Sequence, residues 1–459
     1  MSPSDVVANA GTTALASGSE SDRSLLPALL KVGFIGFGGG SALIPVMHRE
    51  LVAHRGLVDD AAFTRHTVVA NITPGALPVK LAALASLHLG RPRSVVNAGL
   101  VVAAPGTLLA VAILAWLSAA GPEALRALGF VSVGINAFIL AVLWHYVTGV
   151  VAGHRHRAVA LAVVVATFVL TGARATARLL QTVTDREAPL DVPVLTAVHV
   201  IVAAIVLTSA ATAIRGIRLR TSTARVAAAG ERSARRGWVQ LRRASMALLA
   251  TLASALLLSF AAGGVRLLRL TSLVLASAVT SFGGGEAYVA VADGYFVEGG
   301  YVDSVAFYQR AVPVANALPG PILVKLAALV GFIAAGPGWL GWTAALTCAV
   351  AAICGTLIPA VVVAAGYEAV QHSWSVTTLS SWVLPVVCGL LATTAVSMLD
   401  SSASVATEVG WRPAPALLGV ILAVVVIVFI QRRASHRDVV LVLAAGTASW
   451  AIFNAWGGR

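Results

Sequence analysis

The amino-acid sequence predicts an all-α integral membrane protein with about 13 transmembrane helices (12–13) in two homologous repeats. Long apolar runs, little charge and an internal duplication lead to this prediction. Hydrophobic residues make up 58% of the 459 residues, charged residues only 11%, and the mean hydropathy is +0.88. Soluble globular proteins carry about 25% charged residues, so a soluble enzyme, a nucleic-acid-binding protein and a disordered chain are excluded. A transmembrane β-barrel would show alternating segments of ~10 residues instead.

The apolar runs set the number of predicted spans, because a hydrocarbon core about 30 Å thick needs roughly 20 apolar residues per helix. In the first half the predicted spans are 26–47, 66–89, 95–119, 127–151, 157–172 and 193–214. In the second half they are 269–291, 311–334, 339–366, 375–397, 414–430 and 438–455. A further run, 245–262, carries no charge and lies between the halves.

The charge pattern predicts the orientation in the membrane. The chain carries 32 Lys and Arg against 19 Asp and Glu. Segment 215–243 contains nine arginines and one acidic residue, Glu231. Basic loops stay in the cytoplasm, so we expect this segment and the N-terminus inside and the C-terminus outside. Residues 1–24, rich in Ser, Ala and Gly, are predicted to be a disordered cytoplasmic tail.

An internal duplication organises the chain. The motif FGGG occurs at 37–40 and at 282–285, and VKLAAL occurs at 79–84 and at 324–329, both with an offset of 245 residues. We therefore predict a first repeat at 25–215, a basic linker with a connecting helix at 216–268, and a second repeat at 269–459. If 245–262 spans the membrane, the repeats have inverted topology, as in many secondary transporters; if it does not, they are parallel.

Two glycine runs interrupt apolar spans. Three successive glycines destabilise a helix by roughly 1 kcal/mol each relative to alanine, so their presence inside apolar spans calls for an explanation. One explanation is close helix–helix packing. The other is an unwound helix that presents backbone N–H groups to an anion. The candidate binding glycines are Gly38, Gly39, Gly40, Gly283, Gly284 and Gly285.

Pro-Gly steps break one further span in each repeat, at Pro74-Gly75 and at Pro319-Gly320. Proline removes a backbone donor and clashes with the preceding turn. A helix that starts after the step would aim its N-terminal N–H groups inward, and such helix ends bind anions. The alternative is a simple kink.

Lys80 and Lys325 follow these steps at equivalent positions. An intramembrane lysine costs about 2.5–3.5 kcal/mol on insertion scales. Each could snorkel to an interface, but two equivalent lysines favour a shared site for a doubly charged oxyanion. Lys31 has no repeat partner, and we expect an interfacial or packing role for it.

Few acidic residues lie near these motifs. Glu286 and Glu50 are the candidates for carrying a coupling proton, although an ordinary interfacial position is expected for Glu50, His48 and Asp293 near span ends. No Walker A, HExxH or GxSxG motif occurs, so we predict neither an enzyme nor direct use of ATP. Catalytic residues, a metal site and a cofactor are not expected.

The motif pairs resemble those of the chromate transporter family. They read FGGGSALIPVMHRE (37–50) with TPGALPVKLA (73–82), and FGGGEAYV (282–289) with LPGPILVKLA (318–327). The first repeat has Pro-Gly-Ala where the family usually has Pro-Gly-Pro. The resemblance implies a secondary transporter in the plasma membrane that moves chromate, often outward with resulting resistance, and sulfate is expected to compete.

The expected partners are therefore an inorganic oxyanion and the lipid bilayer, without nucleic acid, and a homodimer is one of the assemblies open to the chain. A carrier or channel for another inorganic or organic anion is the alternative, and a non-transporting membrane scaffold is a more remote one. The paired lysines at helix breaks favour transport, because a scaffold has no need of two symmetric buried cations.

Overall fold

A computed structural model of the chain describes residues 25–35, 39–184, 231–281, 285–365, 374–433 and 438–456. Within these ranges the secondary structure is helical, with turns and no β-strand. This confirms the prediction of an all-α membrane protein. The predicted tail at 1–24, most of the basic linker and the predicted span 193–214 lie outside the described residues.

The first repeat contains long helices and pairs of short ones. Its helices are α1 (Leu25–Ile35), α2 (Gly39–His48), α3 (Asp60–Ile72), α4 (Leu77–His88), α5 (Val95–Ala120), α6 (Pro122–Gly153) and α7 (Arg157–Thr184). A π-helical turn, Arg49–His54, continues α2, and a short 3₁₀ turn, Pro92–Ser94, precedes α5. The start of α3 is fixed by Asp59, whose carboxylate accepts a hydrogen bond from the Ala62 N–H at 2.8 Å, as expected of an N-cap residue.

The linker end and the second repeat follow the same pattern. Their helices are α8 (Glu231–Thr280), α9 (Gly285–Ala292), α10 (Val312–Ala317), α11 (Ile322–Ala335), α12 (Trp339–Ala365), α13 (Trp374–Glu408), α14 (Pro413–Arg433) and α15 (Asp438–Trp456). A π-helical turn, Asp293–Val297, continues α9, and another, Ala306–Ala311, leads into α10.

Several predicted single spans are two helices each. The run 66–89 is α3 and α4, and the run 311–334 lies within the last π-helical turn, α10 and α11. The cause is the Pro-Gly step, which ends one helix and starts the next. Among the described residues six helices are long and apolar enough to cross a membrane, or seven if one bent pair counts as a single span. The count of about 13 crossings and the inverted topology stay predictions.

The connecting run 245–262 is part of α8. That helix is continuous except at Gly263 (φ −135°, ψ 15°) and Gly264 (φ 60°, ψ −151°), which are not helical. Only glycine adopts the conformation of Gly264 without strain. The interruption falls between the predicted connecting helix and the first predicted span of the second repeat.

The two helices that carry Lys80 and Lys325 are buried inside the protein. Nearly all residues of α4 and α11 are buried, and both helices pack against α5 and α12. The outermost helices have the opposite character: Leu418, Leu422 and Val425 form an exposed apolar stripe on α14. Apolar residues on the outside and charges on the inside are the arrangement of a protein surrounded by lipid. The chain is a multi-pass membrane protein.

Candidate anion-binding site

The two Pro-Gly steps adopt the same backbone conformation. In the first break, residues 73–76, Thr73 is extended (φ −102°, ψ 151°) and Gly75 has φ +97°. In the second break, residues 318–321, Leu318 is extended (φ −109°, ψ 154°) and Gly320 has φ +94°. The positive φ is open to glycine without strain. The duplicated sequence therefore produces a duplicated interruption, and the buried α4 and α11 begin directly after it.

Each of the two equivalent lysines, Lys80 and Lys325, forms a hydrogen bond to its own break. The Lys80 ammonium donates a hydrogen bond to the Thr73 carbonyl at 2.6 Å, and the Lys325 ammonium donates one to the Leu318 carbonyl. These carbonyls belong to the C-cap residues that directly follow α3 and α10, where no helical N–H group is available to them. A positive charge is also favourable at the negative end of that helix dipole. The lysines therefore stabilise the breaks as well as carrying charge.

Both lysines are buried without a countercharge. Lys80 is 2% exposed and Lys325 is 0% exposed, so neither ammonium snorkels to the surface. No ion pair to either lysine is present in the described part of the chain. An ammonium has three donors, and one of them is used by the carbonyl. Two buried amino groups with spare hydrogen-bonding capacity thus lie inside the protein, next to helix N-termini.

The first break is held by the second repeat. The Gly75 N–H donates to the Ser281 carbonyl at 2.6 Å, and the Ala76 N–H donates to the Thr356 hydroxyl at 3.3 Å. Ser281 follows α8 and Thr356 lies in α12. A Cβ at Gly75 would lie only 2.6 Å from the Thr356 oxygen. The contact thus requires glycine for space as well as for its positive φ.

The second break is held by the first repeat, in a different way. A Cβ at Gly106 in α5 would lie 1.9 Å from the Pro319 carbonyl oxygen and 3.4 Å from Cδ of Lys325. Glycine at this position lets the α5 backbone approach the break. Next to it, the Thr107 hydroxyl is buried and has no hydrogen-bond partner among the described residues. Each break is therefore inserted into the opposite repeat.

The glycine runs lie at the start of two further short helices. Gly39 and Gly40 open α2, and Gly285 opens α9, whereas Gly38, Gly283 and Gly284 lie outside the described residues. The side chain of Glu286 also lies outside what the structure describes. Helix α2 packs against α4 and against α9, and α9 packs against α11. The four helices that start at predicted motifs are thus in contact one after another.

A cavity of about 230 Å³ lies between α5, α11 and α12. Its lining is apolar apart from Thr107 and the indole of Trp342, and it includes Val324 next to Lys325. An apolar lining does not suit a dianion, because stripping the hydration of a charge needs donors in return. The convergence of both lysines and both glycine runs on one cavity stays a prediction.

Glu50 is buried within the protein; its position relative to the membrane interface stays a prediction. Its side chain is buried and accepts a hydrogen bond from the Lys31 ammonium at 2.7 Å, with His54 Nδ1 at 3.4 Å. The hydrogen bond from Lys31 holds the pKa of Glu50 below its usual range. Lys31 thus has a partner within its own repeat, 19 residues away.

Sequence reasoning also missed residues around the breaks. Gly106 and Thr356 belong to a shared Gly-Thr-Leu sequence, at 106–108 and 355–357. This short repeat was the available signal for them. Asp293 is buried, with 6% of its surface exposed. Nothing in its sequence position distinguishes a buried from an interfacial carboxylate.

Comparison with known proteins agrees with the duplicated pattern. The sequence profile of the family described as "Chromate transporter" matches residues 23–184 and again residues 268–450. The chain belongs to the chromate transporter family. Because the profile matches twice, the chain is a two-repeat member of that family, with one match in each predicted repeat.

Two curated relatives of this chromate transporter family member match shorter segments. It is 34% identical over 67 residues to the Bacillus subtilis protein named "Uncharacterized transporter YwrB", covering 15% of this chain and 34% of the relative. It is 37% identical over 95 residues to the Synechococcus elongatus "Probable chromate transport protein", covering 20% of this chain and 24% of the relative. These alignments span about a third and a quarter of the relatives' own lengths. No solved structure matches the chain.

Proposed function

We propose that the protein is a secondary active transporter that moves chromate, or a similar tetrahedral oxyanion such as sulfate, out of the cytoplasm and thereby gives chromate resistance. Membership in the chromate transporter family supports an oxyanion as cargo. The name of the Synechococcus elongatus relative supports chromate in particular. No Walker A motif occurs in the sequence, which favours an ion gradient over ATP as the energy source.

The observation that carries this proposal is the pair of buried lysines. Chromate at neutral pH is largely a dianion, and two ammonium groups match its charge. Lys80 and Lys325 are buried, have no acidic partner in the described part of the chain, and use one donor each for a backbone carbonyl. A buried charge that stays unpaired is costly, so a dianionic ligand between such groups is strongly favoured.

The remaining site residues supply backbone donors in this proposal. Helices α4 and α11, which start after Pro74-Gly75 and Pro319-Gly320, present free N–H groups at their first turns. The runs Gly38–Gly40 and Gly283–Gly285 add N–H groups at the starts of α2 and α9. Contacts from α4 to α2, from α2 to α9 and from α9 to α11 support the proposal that these groups meet at one anion site.

The orientation in the membrane is also part of the proposal. We place the protein in the plasma membrane with its N-terminus and the 215–243 linker in the cytoplasm, because nine linker arginines resist translocation. The C-terminus lies outside. Reporter fusions at residues 230 and 459 should report opposite sides. A report of the same side from both would contradict the inverted-repeat topology.

The decisive experiment uses purified full-length protein in lipid vesicles. Uptake of labelled chromate and of sulfate is expected without ATP and in response to an imposed ion gradient. Binding of chromate to the detergent-solubilised protein is measured in parallel. Lys80→Met and Lys325→Met each remove one charge while keeping an unbranched stem. Because a hydrogen bond to a charged group contributes about 1.5–3 kcal/mol, each should weaken anion binding by about 10- to 100-fold.

The control for these variants is Arg412→Met, which removes an exposed positive charge from the turn between α13 and α14. Lys31→Met is unsuitable as a control, because it would leave the buried carboxylate of Glu50 without its ammonium partner. If Lys80→Met and Lys325→Met both bind the anion as tightly as Arg412→Met does, the lysines only stabilise the breaks and do not bind the anion. Uptake of other anions without chromate or sulfate would favour a different carrier or channel.

A further inference from the structure

A second group of buried polar side chains lies away from the lysines, around the π-helical turn Asp293–Val297. It comprises five residues from three elements, which we call the Asp293 cluster: Asp293, Tyr308, Gln309, Ser397 and Ser401. All five are at least nine-tenths buried. Neither the proposed anion site nor the sequence motifs account for them.

The members of the Asp293 cluster lie close to one another. The Tyr308 hydroxyl lies near the Asp293 carboxyl and the Ser397 hydroxyl, without the geometry of a hydrogen bond to either. Ser397 and Ser401 are one turn apart on α13 and so lie on the same face. A Cβ built at Gly129 would lie 3.7 Å from the Gln309 side-chain oxygen and 3.9 Å from Val405, one turn beyond Ser401. Gln309 thus lies along the same face of α13.

Each member has a polar atom that lacks a hydrogen-bond partner. These atoms are Asp293 Oδ1, the Tyr308 hydroxyl, Gln309 Nε2, and the hydroxyls of Ser397 and Ser401. Most buried polar side-chain atoms in proteins are hydrogen-bonded, and each exception calls for an explanation. Four of these exceptions are oxygen atoms, and four unpaired oxygens within one cluster are best explained by a ligand that they face; the amide nitrogen of Gln309 is a donor.

The chemistry of the cluster indicates a cation of low charge. Asp293 is the one carboxylate among the five, and Tyr308, Ser397 and Ser401 offer hydroxyl oxygens. The charged and titratable groups that face Asp293 are Glu298, Tyr308 and Arg178. Arg178 is exposed on α7 and acts at a distance. No group of three or more metal-ligating side chains occurs in the described part of the chain, which speaks against a transition metal.

We propose that the Asp293 cluster binds the monovalent cation, a proton or a sodium ion, whose movement is coupled to that of the anion. The coupling, but not the binding of the cation, rests on the proposed function above. Helix α9 connects the two sites directly. It starts at the second glycine run and ends at Ala292, directly before Asp293, and its eight residues span ~12 Å at about 1.5 Å per residue.

The first repeat has no equivalent of this site in its described part. The residue that corresponds to Asp293 is His48, whose side chain is 41% exposed and lies 2.6 Å from Asp60. The described residues therefore contain a pair of equivalent lysines but one such cluster, and the proposal accordingly has one coupling cation bound per chain.

The test has two arms, both with full-length protein. In the first, cation binding is measured without any anion: sodium binding by calorimetry with NaCl, and proton uptake with a pH-indicating dye in weak buffer. In the second, chromate or sulfate uptake into vesicles is driven by a pH gradient or by a sodium gradient. The matched variants are Asp293→Asn and Glu408→Gln. Glu408 is an exposed acid at the end of the same α13 that carries Ser397 and Ser401.

We expect one of the two cations to bind and to drive uptake in wild type and in Glu408→Gln. In Asp293→Asn, binding of that cation should fall at least tenfold and the gradient response should be lost, while exchange of one anion for another persists. A gradient response in Asp293→Asn equal to that of Glu408→Gln overturns the proposal. A different result is that cation binding disappears in Asp293→Asn while the wild-type protein transports no oxyanion. This result would support the cation site and refute the proposed function.

If Asp293→Asn does not fold, Tyr308→Phe keeps the proposal testable, because it removes one hydroxyl and retains the ring. The pH or the sodium concentration that gives half-maximal binding should then shift at least threefold in proton or sodium concentration. Its control is Ser404→Ala, since the Ser404 hydroxyl donates to the Asp400 carbonyl of its own helix at 3.0 Å and does not belong to the cluster. An unchanged half-maximal concentration in Tyr308→Phe would exclude the cluster as the cation site.

Discussion

The first and second breaks have the same backbone and different supports. Thr73 and Leu318 agree in φ and ψ to within a few degrees, as do Gly75 and Gly320 in φ. The lysine that follows bonds to the same carbonyl in both. What the two copies share is therefore the interruption of the helix and the charge beside it. These are the features on which the proposed anion site depends.

The supports differ because the residue after the glycine differs. The first break has Ala76, whose N–H donates to the Thr356 hydroxyl. The second break has Pro321, which has no N–H to donate. The threonine of the first repeat's Gly-Thr-Leu sequence, Thr107, correspondingly has an unpaired hydroxyl. The second break relies instead on the close approach of Gly106. The same backbone shape is thus stabilised by hydrogen bonds in one copy and by backbone packing in the other.

The largest effect is expected from closing the space at the second break. In Gly106→Ala the new Cβ would lie 1.9 Å from the Pro319 carbonyl oxygen, and because both partners are backbone atoms, α5 and the break must move apart. Overpacking of a core costs typically 1–3 kcal/mol and more when the backbone must shift, so we expect at least about 3 kcal/mol. Thermal unfolding in detergent measures the loss.

The control for that variant is Gly419→Ala on the exposed helix α14, where a Cβ meets nothing within 4 Å. It should be neutral or slightly stabilising, since alanine favours helix by up to about 1 kcal/mol over glycine. Equal unfolding temperatures for the two variants would mean that α5 does not approach the second break as closely as described.

A smaller effect on stability is expected from substituting the threonines of the two Gly-Thr-Leu sequences, Thr107 and Thr356. Thr356→Val leaves the buried Ala76 N–H without its acceptor, and an unsatisfied buried donor costs about 1–3 kcal/mol. Thr107→Val removes a hydroxyl that has no partner, so it should leave stability unchanged or raise it. Both substitutions keep the β-branched shape. The difference in unfolding temperature between them measures the asymmetry of the two breaks, and similar losses in both would contradict it.

Replacing Pro321, the residue after Gly320, should make the hydrogen bonding of the second break more like that of the first. Pro321→Ala supplies the N–H group that the second break lacks, and we expect the Thr107 hydroxyl to accept it as Thr356 does in the first break. Thr107→Val should then become destabilising in the Pro321→Ala background, by about 1 kcal/mol. A double-mutant cycle on unfolding free energies isolates this coupling. A coupling near zero would show that Pro321 is not the reason for the unpaired hydroxyl.

The sequence predicts the shared parts of this comparison and not the differences. The Pro-Gly steps and the repeated VKLAAL fix where helices break and where a lysine follows, because those residues act locally. The partners of the breaks depend on how α5 and α12 cross from one repeat to the other. That packing is set by tertiary contacts, so Gly106 and Thr356 carry no local signature beyond Gly-Thr-Leu. Burial of Asp293 and Glu50 likewise depends on neighbouring helices.

The smallest effect concerns the ion pair outside the breaks. Lys31→Met removes the hydrogen bond that lowers the pKa of Glu50, and since the Lys31 side chain is half exposed, the loss at neutral pH should be ~0.5 kcal/mol. A carboxyl whose pKa is lowered on folding contributes stability above its ordinary pKa, and this contribution disappears as the pH falls through the lowered value. The difference between wild type and Lys31→Met should therefore shrink from neutral pH towards acid. In Glu50→Gln, which has no carboxylate to pair, further substitution of Lys31 should change the unfolding temperature little at any pH. A difference between wild type and Lys31→Met that is the same at neutral and acidic pH would show that Lys31 acts through packing of its stem rather than through the charge of Glu50.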